Sequence, residues 1–399
     1  MNITIVTQIF PTREQPYRGH SVFQTALRLK QWSNVRVIAP HARYTRWVRL
    51  KTRSWSKTDL SYTPPGSLVT QYCDYPAFPL VSRAANGWQC AKSVAPFVAK
   101  DRPDVILSYW VYPDGFAAVN LGRRFGIPVV IKAIGSDVNN PGGPVQSALA
   151  RYALRHADMC MTVSEDLRRK VIAMGISDER VCAVANGCDT SVFRVGDRKL
   201  ARKELGLAPI GSLVLYVGRL DLAKGLRELL LAVAKIVSAR PLLRVALVGE
   251  GPARAELKEL AKRLRINEHV IWGDPCSSSD IARWMAGSDV CVLPSYREGC
   301  PNVVLEALSC GRPVVGTFVG GIPDLVNEDC GILVPPQNVN ALTEAISICL
   351  GREWDAEEIS RQQRRSWEQV AAETFEICSA LVANKTKAAE PIELRTACK

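Results

Sequence analysis

Short apolar runs alternate with longer stretches whose apolar residues recur every three or four positions, almost from one end of the chain to the other. Runs with little polar alternation suit strands buried on both faces, and their alternation with helical patterns is the βαβ rhythm of a parallel sheet. In the first half the strand candidates are ITIVTQI, VRVIAP, DVILSYW, PVVIKAI, MCMTVS and VCAVANG, with helical patterns such as SVFQTALRLKQW and residues 146–156 between them. After a polar stretch, RVGDRKLARKELGLAPIG, the rhythm restarts with LVLYVGRL, RVALVGEG, VIWGD, DVCVLPS, PVVGTFV and GILVPP. The pattern predicts an α/β chain of two doubly wound, Rossmann-like domains of about six strands each, facing across a cleft. The expected division is an N-terminal domain over 1–195, a C-terminal domain over 205–360, a helix over 361–384 that packs back across the domains, and a frayed tail over 385–399.

Composition agrees with two buried cores: 399 residues, 47% of them apolar. No apolar run approaches the roughly 20 residues needed to span a bilayer. The start, MNITIVTQIFP, lacks the basic region and small-residue cleavage site of a secretory signal. The expected location is therefore the cytoplasm, with peripheral contact at the inner face of the plasma membrane left open. Thirteen cysteines show no C-x-x-C spacing, and Cys160, Cys182 and Cys291 fall in apolar strand patterns, so core packing is the expectation for most.

Charge changes the picture more. The formal net charge is +12, and residues 1–189 hold 24 Lys+Arg against 13 Asp+Glu, whereas the remainder holds 27 against 26. No acidic residue occurs between Glu14 and Asp59. Within that gap Arg43, Arg46, Arg49, Lys51, Arg53 and Lys57 are interleaved with Tyr44, Trp47 and Trp55. Cations with interfacial aromatics suit an anionic membrane surface or a phosphorylated acceptor, and a solvated basic loop is an equal alternative. No nucleic-acid-binding motif accompanies the patch, and a nucleic-acid partner is not expected.

Ligands of open parallel sheets bind beyond the carboxyl ends of the strands, so residues there are the candidates for chemistry. In VGRLDLAKG, Arg219 and Lys224 follow a strand and flank a turn closed by Gly225, where two cations can clamp a diphosphate. In LPSYREGCPNVVLEAL, Glu298 lies in the turn and Glu306 inside the helix, with Pro301 placed for the first helical position. The amides of that helix start suit hydroxyls or phosphate, and each carboxylate can accept two vicinal hydroxyls, one acid per sugar. The doubled Gly320-Gly321 in FVGGIPDLV allows close backbone approach to a ligand. In IKAIGSDVN, Asp137 either faces the cleft from the basic domain or caps a turn. Gly19 in YRGHSVFQ stands near a phosphate position, and His20 follows it as a solvated or satisfied side chain or a cleft residue.

Together these motifs resemble the retaining glycosyltransferases of family 4, which have the GT-B fold of two facing Rossmann-like domains. The resemblance covers residues 1–380 and is strongest from Leu213 to Pro336, through NGCDTSVF, VGRLDLAKG, LVGEGP, VIWGD, the E-x7-E of Glu298 and Glu306, GGIPDLV and GILVPP. YPDG (Tyr112 to Gly115) and GSDVN look like the subgroup acting in cell-envelope and exopolysaccharide assembly. The resemblance implies transfer of a sugar from a nucleotide diphosphate sugar to a glycan or lipid-linked acceptor hydroxyl, with retained configuration and no further cofactor. It implies Gly218, Arg219 and Lys224 on the donor diphosphate, with Gly19 nearby. Glu306 would hold the nucleotide ribose, Glu298 would lie beside the transferred sugar, and the loop of Gly299, Cys300, Pro301 and Asn302 would meet that sugar's hydroxyls through its backbone amides, Pro301 excepted. Asp137 joins Arg219, Lys224 and Glu298 as a catalytic candidate. Many members carry a histidine immediately before G-S-D; here Ile134 stands there, with Lys132 two residues earlier. No D-x-D follows a strand to hold a divalent metal, so the two cations would replace one.

Three other readings compete. A nucleotide-sugar epimerase has no need of the Arg43–Lys57 patch. A dinucleotide-dependent oxidoreductase is disfavoured because QIFPTREQPYRG lacks G-x-G-x-x-G and VRVIAP supplies no acid. A non-catalytic sugar-nucleotide-binding protein stays open because of Ile134.

Overall fold

The structure is a computed structural model that describes residues 1–44, 59–66, 68–77, 84–140 and 142–389, except for the side chains of Tyr44 and of residues 386–389. The chain divides into two compact units, one of residues 1–185 and 367 onward, the other of residues 186–366.

The first unit is built on seven parallel strands: β1 (Asn2–Val6), β2 (Asn34–Tyr44), β3 (Val69–Ala77), β4 (Val105–Tyr109), β5 (Val129–Ala133), β6 (Met159–Thr162) and β7 (Val181–Ala183). They lie in the order β3-β2-β1-β4-β5-β6-β7. The second unit holds six: β8 (Leu213–Val217), β9 (Arg244–Val248), β10 (Val270–Gly273), β11 (Val290–Leu293), β12 (Val314–Thr317) and β13 (Gly331–Val334), ordered β10-β9-β8-β11-β12-β13. Both are doubly wound Rossmann-like sheets covered by helices, so the α/β fold class expected from the pattern is the one observed. In each, chain order reverses beside the first strand, and the loops after β8 and β11, or after β1 and β4, diverge there to leave a crevice.

Every strand of the second unit matches an apolar run read in the sequence. In the first unit β3 went unread. Its sequence VTQYCDYPA places exposed Val69 and Asp74 and a proline at a sheet edge, paired to β2 alone, so burial on both faces never wrote a continuous apolar run.

The boundary also moves. The segment 186–195, expected in the first domain, belongs to the second unit: Cys188 donates its amide to the Arg365 carbonyl at 2.9 Å, and its thiol lies 3.0 Å from the Ser309 hydroxyl. The single long C-terminal helix of the sequence reading is two helices, Ala356–Gln363 and Trp367–Ala389, broken where Cys188 bridges to Ser366. The first stays with the second unit, and the other packs into the first unit, where Trp367, Val370, Ala371 and Cys378 join the core formed with Ile3, Ile5, Val37 and Tyr109. Arg28 pairs with Glu368 at 2.7 Å beside that contact, and Trp32 stacks on Phe375. Residues 385–389, expected in the tail, continue this helix.

Trp367 is 1% exposed and among the largest buried side chains. Trp367→Ala should cost the first unit about 3–5 kcal/mol by removing its packed ring and leaving a cavity. Urea unfolding followed by circular dichroism should show the midpoint fall, and an unchanged midpoint would mean the helix contributes no core.

Candidate functional site

The candidate site is built by the loops after β8 and β11, neighbours at the reversal point of the second sheet. Beyond β8, the Tyr216 hydroxyl donates to the carbonyl of Arg219 at 2.8 Å and fixes the course of the loop, starting from Gly218. Arg219 itself points outward, 70% exposed, with Nε 3.7 Å from the Asp221 carboxylate. The Asp221 carboxylate accepts the Ala223 amide at 3.1 Å and starts the single turn Leu222–Lys224. Gly225 then takes φ 69°, and a Cβ there would stand 2.0 Å from the carbonyl oxygen of Pro294. Only glycine allows that approach. The Tyr296 amide donates to the Ala223 carbonyl at 2.9 Å, which laces the two loops together. The consequence is an ion pair across them, Lys224 Nζ to Glu298 Oε1 at 2.6 Å, with Glu298 only 11% exposed.

Gly320 and Gly321 act on the same loop from its other side. Gly320 has φ 55°, a Cβ on it would lie 2.0 Å from the Glu298 carbonyl oxygen, and the Gly321 amide donates to the Gly299 carbonyl at 2.7 Å. The close approach expected to a ligand is thus an approach to the backbone of the Glu298 loop. Cys300 and Asn302 are held by Asn186, whose side-chain amide donates to the Cys300 carbonyl at 3.4 Å and to Asn302 Oδ1 at 2.9 Å. Pro301 is the N-cap of helix Asn302–Ser309, with an extended ψ of 112°, and not its first helical residue. Its carbonyl accepts from Val304, which an N-cap residue can do whether or not its own nitrogen carries hydrogen. The amides of Asn302 and Val303 start the helix without an intrahelical acceptor and suit an oxygen-rich ligand.

Glu306, one turn into that helix, is in a different state from Glu298. It is partly buried, and no cation or hydrogen-bond donor faces its carboxylate among the described residues. Burial alone pushes its pKa up, to about 7. Tyr216, beneath the loops, is pushed up by burial first and then by Glu298 and Asp221. The site therefore presents one exposed guanidinium, one ammonium shared with a carboxylate, a helix start, and one carboxyl group lacking a donor.

The remaining candidates lie in the first unit. Gly19 has φ 63° and closes on the Ile9 carbonyl, 2.2 Å from the place of a Cβ, at the start of helix His20–Leu29. His20 is set edge-on to the Trp367 ring at 6.2 Å. Asp137 is 3% exposed, and its carboxylate accepts the amides of Gly135 (2.8 Å), Ile134 (3.1 Å) and Val111 (3.2 Å). It ties the loops after β4 and β5 together, so the expectation of a carboxylate open to the cleft is corrected: its acceptor capacity goes to backbone. Burial raises its pKa to about 6 against those bonds. Lys132 is 1% exposed inside β5, its ammonium 5.9 Å from the Tyr109 ring centre. Arg43 is exposed at the end of β2. Arg46, Trp47, Arg49, Lys51, Arg53, Trp55 and Lys57 of the same patch lie outside the described residues.

Asn186 and Tyr216 are site-supporting residues that the sequence reading did not single out. Asn186 was legible only as part of NGCDTSVF, because its partner is 116 positions away. No group of three or more His, Cys, Asp or Glu side chains is arranged for a metal ion among the described residues. Nor is any described helix long and apolar enough to cross a membrane.

The family profile described as "Glycosyl transferases group 1" matches residues 211–352, and that described as "Glycosyl transferase 4-like domain" matches residues 13–187. TuaC of Bacillus subtilis (strain 168), assigned to teichuronic acid biosynthesis as a glycosyltransferase, is 29% identical over 359 residues, 87% of this chain and 88% of that protein. The D-inositol 3-phosphate glycosyltransferase of Mycobacterium marinum is 32% identical over 59% of this chain and 52% of its own length. Among solved structures, sucrose-phosphate synthase from Thermosynechococcus elongatus superposes with a TM-score of 0.78 at 20% identity, covering 96% of this chain and 100% of that one. Anabaena HepE in complex with UDP superposes at 0.75 with 18% identity, covering 95% and 100%. These likenesses show the GT-B fold.

The unpartnered state of Glu306 has a measurable sign. Its folded pKa of about 7 lies above the ordinary 4.5, so between those values the folded chain holds a proton the unfolded chain has released. Stability is therefore lost from this group as pH rises from 4.5 toward 7. Glu306→Gln should gain on the parent protein by up to about 3 kcal/mol across that window, at ~1.4 kcal/mol per pKa unit. Chemical denaturation at pH 4.5 and 7.5 would show the gain, and a pH-independent difference would refute the desolvated carboxyl.

Proposed function

We infer that this chain, which belongs to the glycosyltransferases of family 4, moves a sugar from a nucleoside diphosphate sugar to an acceptor hydroxyl with the anomeric configuration retained. That it is a glycosyltransferase follows from the two family profiles, which between them cover both units. The observation that carries the finer reading is the pairing of unlike carboxylates at one reversal point. Glu298 is already satisfied by Lys224, whereas Glu306 has no donor and gains two from a vicinal diol.

In this reading Glu306 accepts the ribose hydroxyls, and Lys224 and exposed Arg219 contact the diphosphate. Glu298, paired with Lys224 at 2.6 Å, accepts hydroxyls of the transferred sugar. The bond from the anomeric carbon to the β-phosphate oxygen breaks as the bond to the acceptor oxygen forms on the same face, and the acceptor proton passes to the departing diphosphate. The cations offset the charge that grows on that diphosphate, while the sugar is oxocarbenium-like. No further cofactor is part of the proposal, and these cations supply the charge that a divalent ion would otherwise bring. The assignment of TuaC to teichuronic acid biosynthesis supports a cell-envelope polymer or its lipid-linked precursor as acceptor.

UDP is the first ligand to test, since HepE was solved with it, followed by GDP and ADP. One of them should raise the melting temperature. Lys224→Ala and Arg219→Ala should weaken its binding about 10- to 150-fold each, the range for a hydrogen bond to a charged group. Stabilisation that survives both substitutions would remove the diphosphate from this site, and ligand binding without sugar transfer to any acceptor would favour the non-catalytic reading. Transfer should persist in EDTA.

Glu306 adds a second test. Ribose hydroxyls favour its charged form, so donor binding should release a proton near pH 7 and weaken as pH falls below its free pKa of about 7. Titration calorimetry in buffers of different ionisation enthalpy should detect that proton in the parent protein and lose it in Glu306→Gln. Equal proton release by both would place the ribose elsewhere.

A further inference from the structure

The helices after β3, β4 and β5, Asn86–Lys100, Phe116–Phe125 and Pro144–His156, contain no acidic residue. They carry Lys92, Lys100, Arg123, Arg124, Arg151 and Arg155, all exposed. The three strand-to-strand crossings run the same way across the sheet, so right-handed connections put these helices on one face. Helix His20–Leu29, whose crossing runs the other way, lies on the opposite face against the C-terminal helix.

None of the six cations has a carboxylate partner among the described residues. Of the acids bordering these helices, Asp101 pairs with Arg36 at 2.8 Å, Asp104 accepts the Asn2 amide, Asp158 accepts the Val129 amide, and Asp114 and Asp137 are buried; exposed Asp74, whose carbonyl accepts the Ser93 hydroxyl, forms no ion pair with any of the six. The next helix, Glu165–Ala173, behaves in the ordinary way, with Arg168 paired to Glu165 and Asp178, and Lys170 to Asp166. Helix dipoles do not account for the difference. They would favour acids in the first turns as much as cations in the last, and all three first turns lack acids, while Lys92 and Arg151 lie away from the last turns.

Shape and apolar groups narrow the partner. A groove of about 650 Å³ runs between helices Asn86–Lys100 and Phe116–Phe125, lined by Ala91, Ala95 and Ala99 and flanked by Lys92 and Arg124. A second, of about 450 Å³, lies along Arg151, Tyr152 and Arg155. Trp88 is 51% exposed yet held edge-on by Phe116 at 4.7 Å, and Phe116 in turn meets Tyr152 at 5.6 Å. Val145, at the start of its helix, is 54% exposed. Cations around shallow grooves with a fixed interfacial aromatic and an exposed aliphatic fit a bilayer better than a purely ionic polymer, which gains nothing from the apolar groups.

We propose that this helical face of the first unit seats on an anionic lipid bilayer, with headgroup phosphates entering the two grooves and Trp88 and Val145 entering the headgroup layer. The inference deepens the proposed function by naming the surface on which a lipid-linked acceptor is met, and it makes no use of the donor site. Each Lys or Arg near an anionic surface contributes about 1 kcal/mol, roughly fivefold in affinity. The test is sedimentation of the full chain with phosphatidylcholine vesicles, with and without one-third phosphatidylglycerol. The parent protein should bind only the anionic vesicles, and Lys92→Gln/Arg124→Gln/Arg151→Gln should bind them about a hundredfold more weakly. Its melting temperature and its response to nucleoside diphosphate report on fold and donor site independently. A second reading uses brominated lipid, which should quench the parent's tryptophan fluorescence more than that of Trp88→Phe. Equal vesicle binding by parent and triple variant would overturn the assignment of this face. So would retention of an acidic polysaccharide by a parent protein that binds no vesicle.

Discussion

The candidate site depends on one packing constraint: the backbone of residues 294–299 is gripped from both sides by residues without a Cβ. Gly225 closes on the Pro294 carbonyl and Gly320 on the Glu298 carbonyl, each at a separation that any side chain would forbid. The gap between the loops after β8 and β12 is therefore filled by main chain, and the intervening loop cannot shift without breaking one contact or the other. Hydrogen bonds from Tyr296 to Ala223 and from Gly321 to Gly299 then fix its height. An irregular loop so confined becomes nearly as rigid as the sheet beneath it, which is what a binding group needs if it is to be in place before the ligand arrives.

That rigidity makes the electrostatics of the two glutamates diverge. Glu298 comes within 2.6 Å of Lys224 because the loops carrying them are stitched together, so each meets the other in a partly buried place. Glu306 is fixed by helix geometry at a depth where water is scarce and no cation follows. An ion pair has only part of its field left for a ligand, whereas a desolvated carboxyl with no donor gains most from hydroxyls that bring their own. Two residues of one type, eight positions apart, thus differ in what they can recognise, and the difference comes from neighbours 74 positions away in the chain.

The strands were legible wherever burial on both faces wrote a continuous apolar run, as in LVLYV and VVIKA. Edge strand β3 was not, since one-sided pairing tolerates Asp74 and Pro76. The positions of Arg219, Lys224, Glu298 and Glu306 after strands could be read because turns and helix starts leave local marks. What could not be read was which group each would meet. Asp137 stood as plausibly for a cleft acid as for a turn staple, and the choice was made by three amides from two loops. The domain boundary failed for the same reason: residues 186–195 look like the end of one rhythm, but Asn186 and Cys188 are bonded to Asn302 and Ser309.

The two units divide the electrostatic work in a way that follows from these contacts. At the carboxyl edge of the first sheet, the acids serve the backbone: Asp114 accepts the Gln8 amide at 2.7 Å and Asp137 accepts three others. Burial pushes both carboxyls up, against the amides that favour their charged forms. Residues 1–189 hold 24 Lys and Arg against 13 Asp and Glu, so the positive field belongs to the part of the chain that holds the first sheet. The second unit is nearly balanced in charge, and its loops after β8 and β11 bring Arg219, Lys224 and Glu298 to one place. On the proposed reading, attraction of anionic surfaces belongs to the first unit and recognition of a diphosphate and its hydroxyls to the second, so substitutions made for one would leave the other undisturbed.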